Sequence, residues 1–126
     1  MKLTNHEQSL LNGWEEVFKK GQLTLWVLLA LKHGPKYMGD IKAFIGDATN
    51  GALSADDVSM YRALRRYTQA ELVDFTATPG KGGPDRKVYS LTPTGQVVLR
   101  SFCERNIAEV FYKPAIQKLI RGDIDA

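Results

Sequence analysis

The sequence has few of the residues that build disulfides, metal centres and membrane spans. Cys103 is the single cysteine, which excludes an internal disulfide, and His6 and His33 are too distant in sequence to suggest a metal site. The longest apolar stretch, Leu23 to Leu31, has only nine residues, whereas a membrane-spanning helix needs about 20. The first ten residues are polar, unlike a secretory signal. We therefore expect a cytoplasmic protein without a metal or cofactor.

Recognisable catalytic patterns are also missing. The sequence suggests no nucleophile paired with a base and no two carboxylates on a shared face. The glycine-rich segment Gly80 to Lys87 (GKGGPDRK) lacks the GxxxxGK[ST] spacing of a phosphate-binding loop, and a strand rather than a helix is predicted to follow it. These absences argue against an enzyme and against a nucleotide site.

The residues that are present fit one globular domain. The chain has 126 residues, of which 44% are apolar and 25% charged, a composition typical of a domain with one hydrophobic core. Its 17 basic residues exceed its 14 acidic ones, which gives a formal net charge of +3. This excess permits binding to a polyanion without requiring it, so the placement of the charges is more informative than their sum.

Apolar spacing predicts three helices in the first half of the chain. The first ends near Lys19-Lys20-Gly21 and carries a one-sided apolar stripe. Leu23 to Lys32 is apolar nearly all round, which predicts a buried central helix. Tyr37 to Ile45 predicts a short third helix, closed by the break at 46–51. The stripe of the first helix comprises Leu10, Leu11, Trp14, Val17 and Phe18.

A fourth helix, a hairpin and a last helix follow. Ser54 or Asp56 can cap the fourth helix. Its inward side is predicted to hold Val58, Tyr61 and Leu64, and its outward side Ser59, Arg62, Arg66 and Gln69, with Arg65 at the edge. Residues 73–78 alternate apolar and polar, a turn spans 79–84 and 86–91 is extended, so a β-hairpin is predicted. Thr92 and Pro93 can begin the last helix, which Pro114 should kink or restart.

This order predicts a mainly α fold with a small β-hairpin. Three helices followed by a hairpin are typical of a winged helix-turn-helix, and a generic α+β domain is the alternative. The predicted segments are an N-terminal helix over 1–21, a winged helix over 22–92 and a C-terminal helix over 93–126.

Four stretches, in this order, resemble the PadR family of bacterial transcriptional regulators. They are Lys20 to Leu31 (KGQLTLWVLLAL), Gly34 to Ile41 (GPKYMGDI), Ser59 to Arg66 (SMYRALRR) and Lys87 to Gly95 (KVYSLTPTG). The third is similar to the family's recognition-helix motif, and the fourth to its second wing strand. The C-terminal region is similar to the subgroup in which a single C-terminal helix and the N-terminal helix form the dimer.

The resemblance implies a homodimeric DNA-binding repressor that occludes a promoter and associates with the bacterial nucleoid. The stretch from Ser59 to Ser90 holds six basic and three acidic residues, so it carries +3, as much as the whole chain. Without the resemblance, the arginines would be interpreted as an ordinary solvated face and the hairpin tip as a mobile surface turn. The alternative function is a protein-interaction module. The implied DNA-binding residues are Lys36, Tyr37, Ser59, Met60, Tyr61, Arg62, Arg65, Arg66, Lys81, Arg86 and Lys87.

The apolar stripes at the two ends predict a dimer interface. It is expected to hold Trp14, Phe18, Leu99, Phe102, Ile107, Val110 and Phe111. Some relatives bind planar aromatic effectors between subunits, which here implies a pocket of Trp14, Phe18, Phe102 and Asn106. Asn106 stands where the drug-binding relatives have a central tryptophan, so stacking by that residue is not implied. The alternative is a dimer interface that is filled by side chains and binds no ligand. Cys103 is predicted to be a small core residue.

Overall fold

The computed structural model describes residues 2–124, and the predicted end segments reach residues 1, 125 and 126, which lie outside the described residues. Helices dominate, with one small antiparallel sheet. In chain order the elements are α1 (Asn5–Lys19), α2 (Leu23–His33), β1 (Lys36–Tyr37), α3 (Met38–Ala48), α4 (Asp57–Gln69), β2 (Val73–Thr78), β3 (Arg86–Leu91), α5 (Pro93–Cys103), a π-helical turn (Glu104–Ala108), α6 (Glu109–Phe111) and α7 (Pro114–Ile124).

Helix α1 begins before its apolar stripe because a capping box fixes its N-terminus. The Glu7 amide donates to the Thr4 hydroxyl at 3.1 Å, and the Thr4 amide donates to the Glu7 carboxylate at 2.9 Å. The hydrogen bond from the Thr4 amide lowers the pKa of Glu7. None of the residues of α1 is buried, so the whole apolar stripe of this helix faces outward in the single chain.

The core lies between α2, α3, α4, the sheet and the start of α5. Its largest fully buried side chains are Val27, Ile41, Met60, Leu64 and Val73. A hydrogen bond of 2.8 Å between the hydroxyls of Thr24 and Tyr67 joins α2 to α4 inside this packing. The nearly all-apolar sequence of α2 is therefore explained by its central position, as predicted.

The sheet has the strand order β1-β3-β2, and both pairs are antiparallel. The hairpin of β2 and β3 is confirmed. The short strand β1 is an addition to the prediction: it pairs Lys36 with Tyr89 and Tyr37 with Val88. A strand of two residues has no detectable alternation, so only its pairing partner reveals it. Helices α2, α3 and α4 and the hairpin of β2 and β3 that follows them form a winged helix, which confirms the predicted fold.

Helix α5 starts where the sequence placed it. Thr92 accepts a hydrogen bond from the Gly95 amide at 2.9 Å, and Pro93 occupies the first turn. A Cβ atom at Gly95 would lie 2.0 Å from the carbonyl oxygen of Leu72, so glycine permits this close approach of α5 to the end of α4. The predicted restart at Pro114 is also confirmed, because α7 begins there.

Two predicted side-chain orientations are wrong. Val58 and Tyr61 are exposed, whereas Leu64 is buried as predicted, together with Met60, Ala63 and Tyr67. Helical spacing allowed either set, since residues three or four positions apart share one side of a helix. Leu99 is only 4% exposed and belongs to the core of its own chain, so its predicted place in a dimer interface is wrong.

Among residues 2–124, none of the helices combines the length and apolar character needed to span a bilayer.

Candidate nucleic-acid interface

The N-terminus of α4 is held by two carboxylates. Of the two predicted capping residues, Asp56 is the one that caps: its side chain accepts from the Ser59 amide at 2.7 Å. This hydrogen bond lowers the pKa of Asp56. Asp57 pairs with Lys42 of α3 at 2.6 Å. The cap and the ion pair therefore position the start of α4 relative to α3.

The outward face of α4 carries cations. Ser59, Arg62, Arg65, Arg66 and Gln69 are all exposed, as the sequence predicted. Within the described part of the chain, Arg62 and Arg65 form no ion pair with a carboxylate. The guanidinium of Arg66 lies 5.9 Å from the ring centre of Tyr67. The helix thus separates a buried apolar side from a cationic side, as a helix in a DNA groove requires.

A groove of about 490 Å³ runs between α4 and the hairpin. The helix contributes Arg62 and Arg65 to one wall, and the hairpin contributes Lys87 to the other. The ammonium of Lys87 lies 4.5 Å from the ring centre of Phe75. Basic groups therefore line both sides of the groove. Its complete lining is Tyr61, Arg62, Arg65, Thr68, Gln69, Phe75, Lys87 and Tyr89.

Aromatic rings form the floor where the hairpin meets α4. The rings of Phe75 and Tyr89 are tilted with centres 5.7 Å apart. Burial raises the pKa of the Tyr89 hydroxyl, and the nearby Tyr61 raises it further. Tyr89 therefore stays protonated and neutral near pH 7, and the formal charges of the groove come from its arginines and Lys87.

The end of the hairpin next to its turn is tied to the start of α3. The guanidinium carbon of Arg86 lies 3.8 Å from the ring centre of Tyr37, close enough for a cation–π contact. The Tyr37 hydroxyl is 3.5 Å from the hydroxyl of Thr78 on the opposite strand. Tyr37 and Arg86 are therefore brought together, next to a second groove that also contains Tyr61 and Lys87.

The remaining predicted DNA-binding residues have separate positions. The ammonium of Lys36 is 2.9 Å from Nδ1 of His33 and lies over the ring of Phe44, so it faces the end of α2. Lys81 lies exposed at the hairpin tip. Met60 is 1% exposed, and its predicted place at the DNA surface is wrong, because it faces the core from the opposite side of α4.

Three exposed or groove-lining residues were missed. Val58 was assigned to the interior by its apolar character, and Phe75 and Thr68 were not singled out. The helical spacing from Arg65 to Thr68 and Gln69 was the available signal for the last of these. In the described range 2–124, His, Cys, Asp and Glu residues form no group of three or more that could hold a metal ion.

The four predicted pocket residues lie on different elements. Trp14 and Phe18 are on α1, whereas Phe102 is on α5 and Asn106 in the π-helical turn. The groove that Phe18 lines, about 260 Å³ between α1, α2 and the α3–α4 link, contains neither Phe102 nor Asn106. The side-chain amide nitrogen of Asn106 donates to the backbone carbonyl of Phe102 at 3.1 Å. The groove that Phe18 lines therefore does not bring the two pairs together.

Residues 27–101, more than half of the chain, match the model of the PadR-like family of transcriptional regulators. The chain belongs to this PadR-like family. It is therefore a regulator rather than an enzyme. No curated protein matches the sequence significantly.

Solved structures of PadR proteins share the fold. PadR from Bacillus subtilis, solved in complex with operator DNA, is 24% identical with a TM-score of 0.61 and aligns to 67% of this chain and 48% of its own. The chain thus spans about half the length of that protein. A PadR family regulator from Eggerthella lenta is 20% identical with a TM-score of 0.65, and the match covers 81% and 87% of the two chains. A PadR-like regulator from Bacillus cereus is 23% identical with a TM-score of 0.58, covering 70% and 84%.

Proposed function

We propose that this PadR-like protein represses transcription by binding a pseudo-palindromic promoter site as a homodimer. In each subunit α4 enters a major groove, and the hairpin of β2 and β3 lies beside it as the wing. The observation that carries the proposal is the pair of arginines, Arg62 and Arg65, which are exposed opposite Lys87 of the wing and form no ion pair with a carboxylate among residues 2–124. The operator complex of Bacillus subtilis PadR supports duplex DNA as the ligand.

The proposed contacts divide into two kinds. Arginine presents two donors to O6 and N7 of guanine, so Arg62 and Arg65 are assigned to base edges in the major groove. Ser59, Tyr61 and Arg66 flank them on α4. Tyr37, Lys81, Arg86 and Lys87 are assigned to the phosphate backbone, which positions the protein without reading sequence. Lys36 can contact a phosphate only if its ammonium moves away from the His33 ring.

The surface of the single chain supports a dimer. Its accessible area is 9548 Å², well above the roughly 6,700 Å² expected for a compact monomer of this mass. Large apolar side chains remain exposed at both ends, among them Trp14 and Phe18 on α1 and Phe102, Val110 and Phe111 in the C-terminal region. Ile107 is half-buried beside them. A monomer rarely leaves such faces in water, so a second copy is proposed to cover them.

A two-fold symmetric dimer predicts the form of the operator. Its two α4 helices must reach successive major grooves on one side of the duplex, which lie about 34 Å apart. The two half-sites are therefore inverted repeats, and a bound dimer occludes the promoter. A winged-helix module that binds an acidic protein is the alternative, since the same cationic face would serve it.

Salt dependence of DNA binding separates these two functions. We expect binding to random duplex DNA at low salt, and an affinity that falls about tenfold or more between about 100 and about 200 mM salt, because at least about four phosphates are neutralised. Fluorescence anisotropy with a labelled duplex measures both. Failure to bind any duplex at low salt would favour the protein-interaction module.

We also propose that a small planar aromatic effector releases the dimer from DNA. Trp14, Phe18 and Phe102 offer apolar walls at the subunit seam, with Asn106 as a polar group. A ligand shifts the spacing of the two α4 helices only if it binds one spacing more tightly. Titration with phenolic acids and flat aromatic dyes should quench the tryptophan emission of a Trp26→Phe variant, which leaves Trp14 as the emitter, and weaken DNA binding over the same concentration range. Compounds that change neither signal would indicate a packed seam without effector.

A further inference from the structure

Helix α4 presents an apolar side chain within its cationic face. Val58 lies in the first turn and is 61% exposed. It stands three, four and seven residues before Tyr61, Arg62 and Arg65, so all four share one side of the helix. The buried residues of α4 lie on the other side, and Val58 is not among the hydrophobic residues that pack against the core.

The surroundings of Val58 leave it available to an outside partner. The acidic residues just before it are both engaged, Asp56 with the Ser59 amide and Asp57 with Lys42. A β-branched side chain in a helix has essentially one χ1 rotamer, so its two methyl groups are held in place before any partner arrives. Preorganised apolar groups lose little entropy when they are covered.

The chemistry of base edges identifies the partner. Residues in the first turns of a recognition helix are those that reach base edges in the major groove. Valine has no donor or acceptor, and the apolar group that a base edge offers there is the 5-methyl group of thymine. We infer that Val58 reads a thymine methyl group in each half-site, beside the base pair that Arg62 contacts. This inference rests on the proposed function and adds a specificity-determining residue to it.

Replacing thymine with deoxyuridine tests the inference, because it removes only the methyl group. Preferred sites are first selected from random duplexes with the wild-type protein, and each thymine of the selected half-site is then replaced in turn. At one position per half-site the replacement should weaken wild-type binding about fourfold, as expected for one buried methyl-sized group. The same replacement should leave the affinity of the Val58→Ala variant unchanged.

Val97→Ala is the matched control, since Val97 is 65% exposed on α5 and lies in a groove lined by residues of α2 and α5. It should keep the full sensitivity to deoxyuridine, and circular dichroism should show that both variants keep the wild-type helix content. The inference is overturned if deoxyuridine weakens the affinity of Val58→Ala by the same factor as that of wild type at every position. It is also overturned if replacing no thymine changes wild-type affinity. In both cases the proposal of DNA binding stands. If no site is selected, the proposed function fails together with the inference.

Discussion

Replacing both Arg62 and Arg65 with alanine should weaken operator binding by about a hundredfold or more. Each arginine that contacts a guanine edge contributes about 1 to 3 kcal/mol to discrimination, and a cost of 1.4 kcal/mol corresponds to tenfold. Both side chains lie on the exposed side of α4 without a carboxylate partner in the described part of the chain. Anisotropy titration against the selected operator measures the loss, and the folded helix content should be unchanged.

Arg100→Ala is the matched control for this pair. Arg100 is an exposed arginine on α5, paired with Glu104 at 3.3 Å, and lies outside the proposed interface. Its removal lowers the net charge by the same amount per residue but should change operator affinity little. If the Arg62→Ala/Arg65→Ala variant binds the operator as tightly as the Arg100→Ala variant does, α4 is not the recognition helix.

Placing charges on the apolar stripe of α1 should separate the subunits. Light scattering should give the wild-type protein a molar mass of twice 14.1 kDa. The Trp14→Asp/Phe18→Asp variant should have a molar mass of 14.1 kDa. Both side chains are large and well exposed in the single chain. Central aromatic residues of interfaces cost about 2 kcal/mol or more each when truncated. The dimer dissociation constant should therefore rise by about a hundredfold or more.

Ser9→Asp/Asn12→Asp places the same two charges on the opposite side of α1 and should leave the dimer intact. Both residues are exposed and polar in the chain. Operator affinity should fall in the Trp14→Asp/Phe18→Asp variant as well, because a single half-site contact replaces two linked ones. A wild-type protein that is monomeric at micromolar concentration would refute the dimer proposal.

Elements with local signals were predictable from the sequence. The helix α2, the alternation in β2, the extended β3, the Thr92-Pro93 start of α5 and the restart at Pro114 all appear in the structure as predicted, and α3 continues three residues beyond the predicted Ile45 to Ala48. Each depends on backbone preferences and hydrogen bonds between residues close in the chain, so a short window of sequence contains the physical cause. The cationic face of α4 belongs here too, because long charged side chains stay in water whichever neighbouring residues are buried.

Long-range packing selects which apolar residues are buried. Met60 and Tyr61 are adjacent and both apolar enough for a core, yet Met60 packs inside and Tyr61 lines the groove. Helical spacing defines which residues share a side, but packing against α2 and the sheet selects the side that turns inward. For the same reason Leu99 joined the core, and β1 formed only because β3 offered it a partner. These outcomes depend on contacts between residues far apart in sequence, which local spacing does not contain.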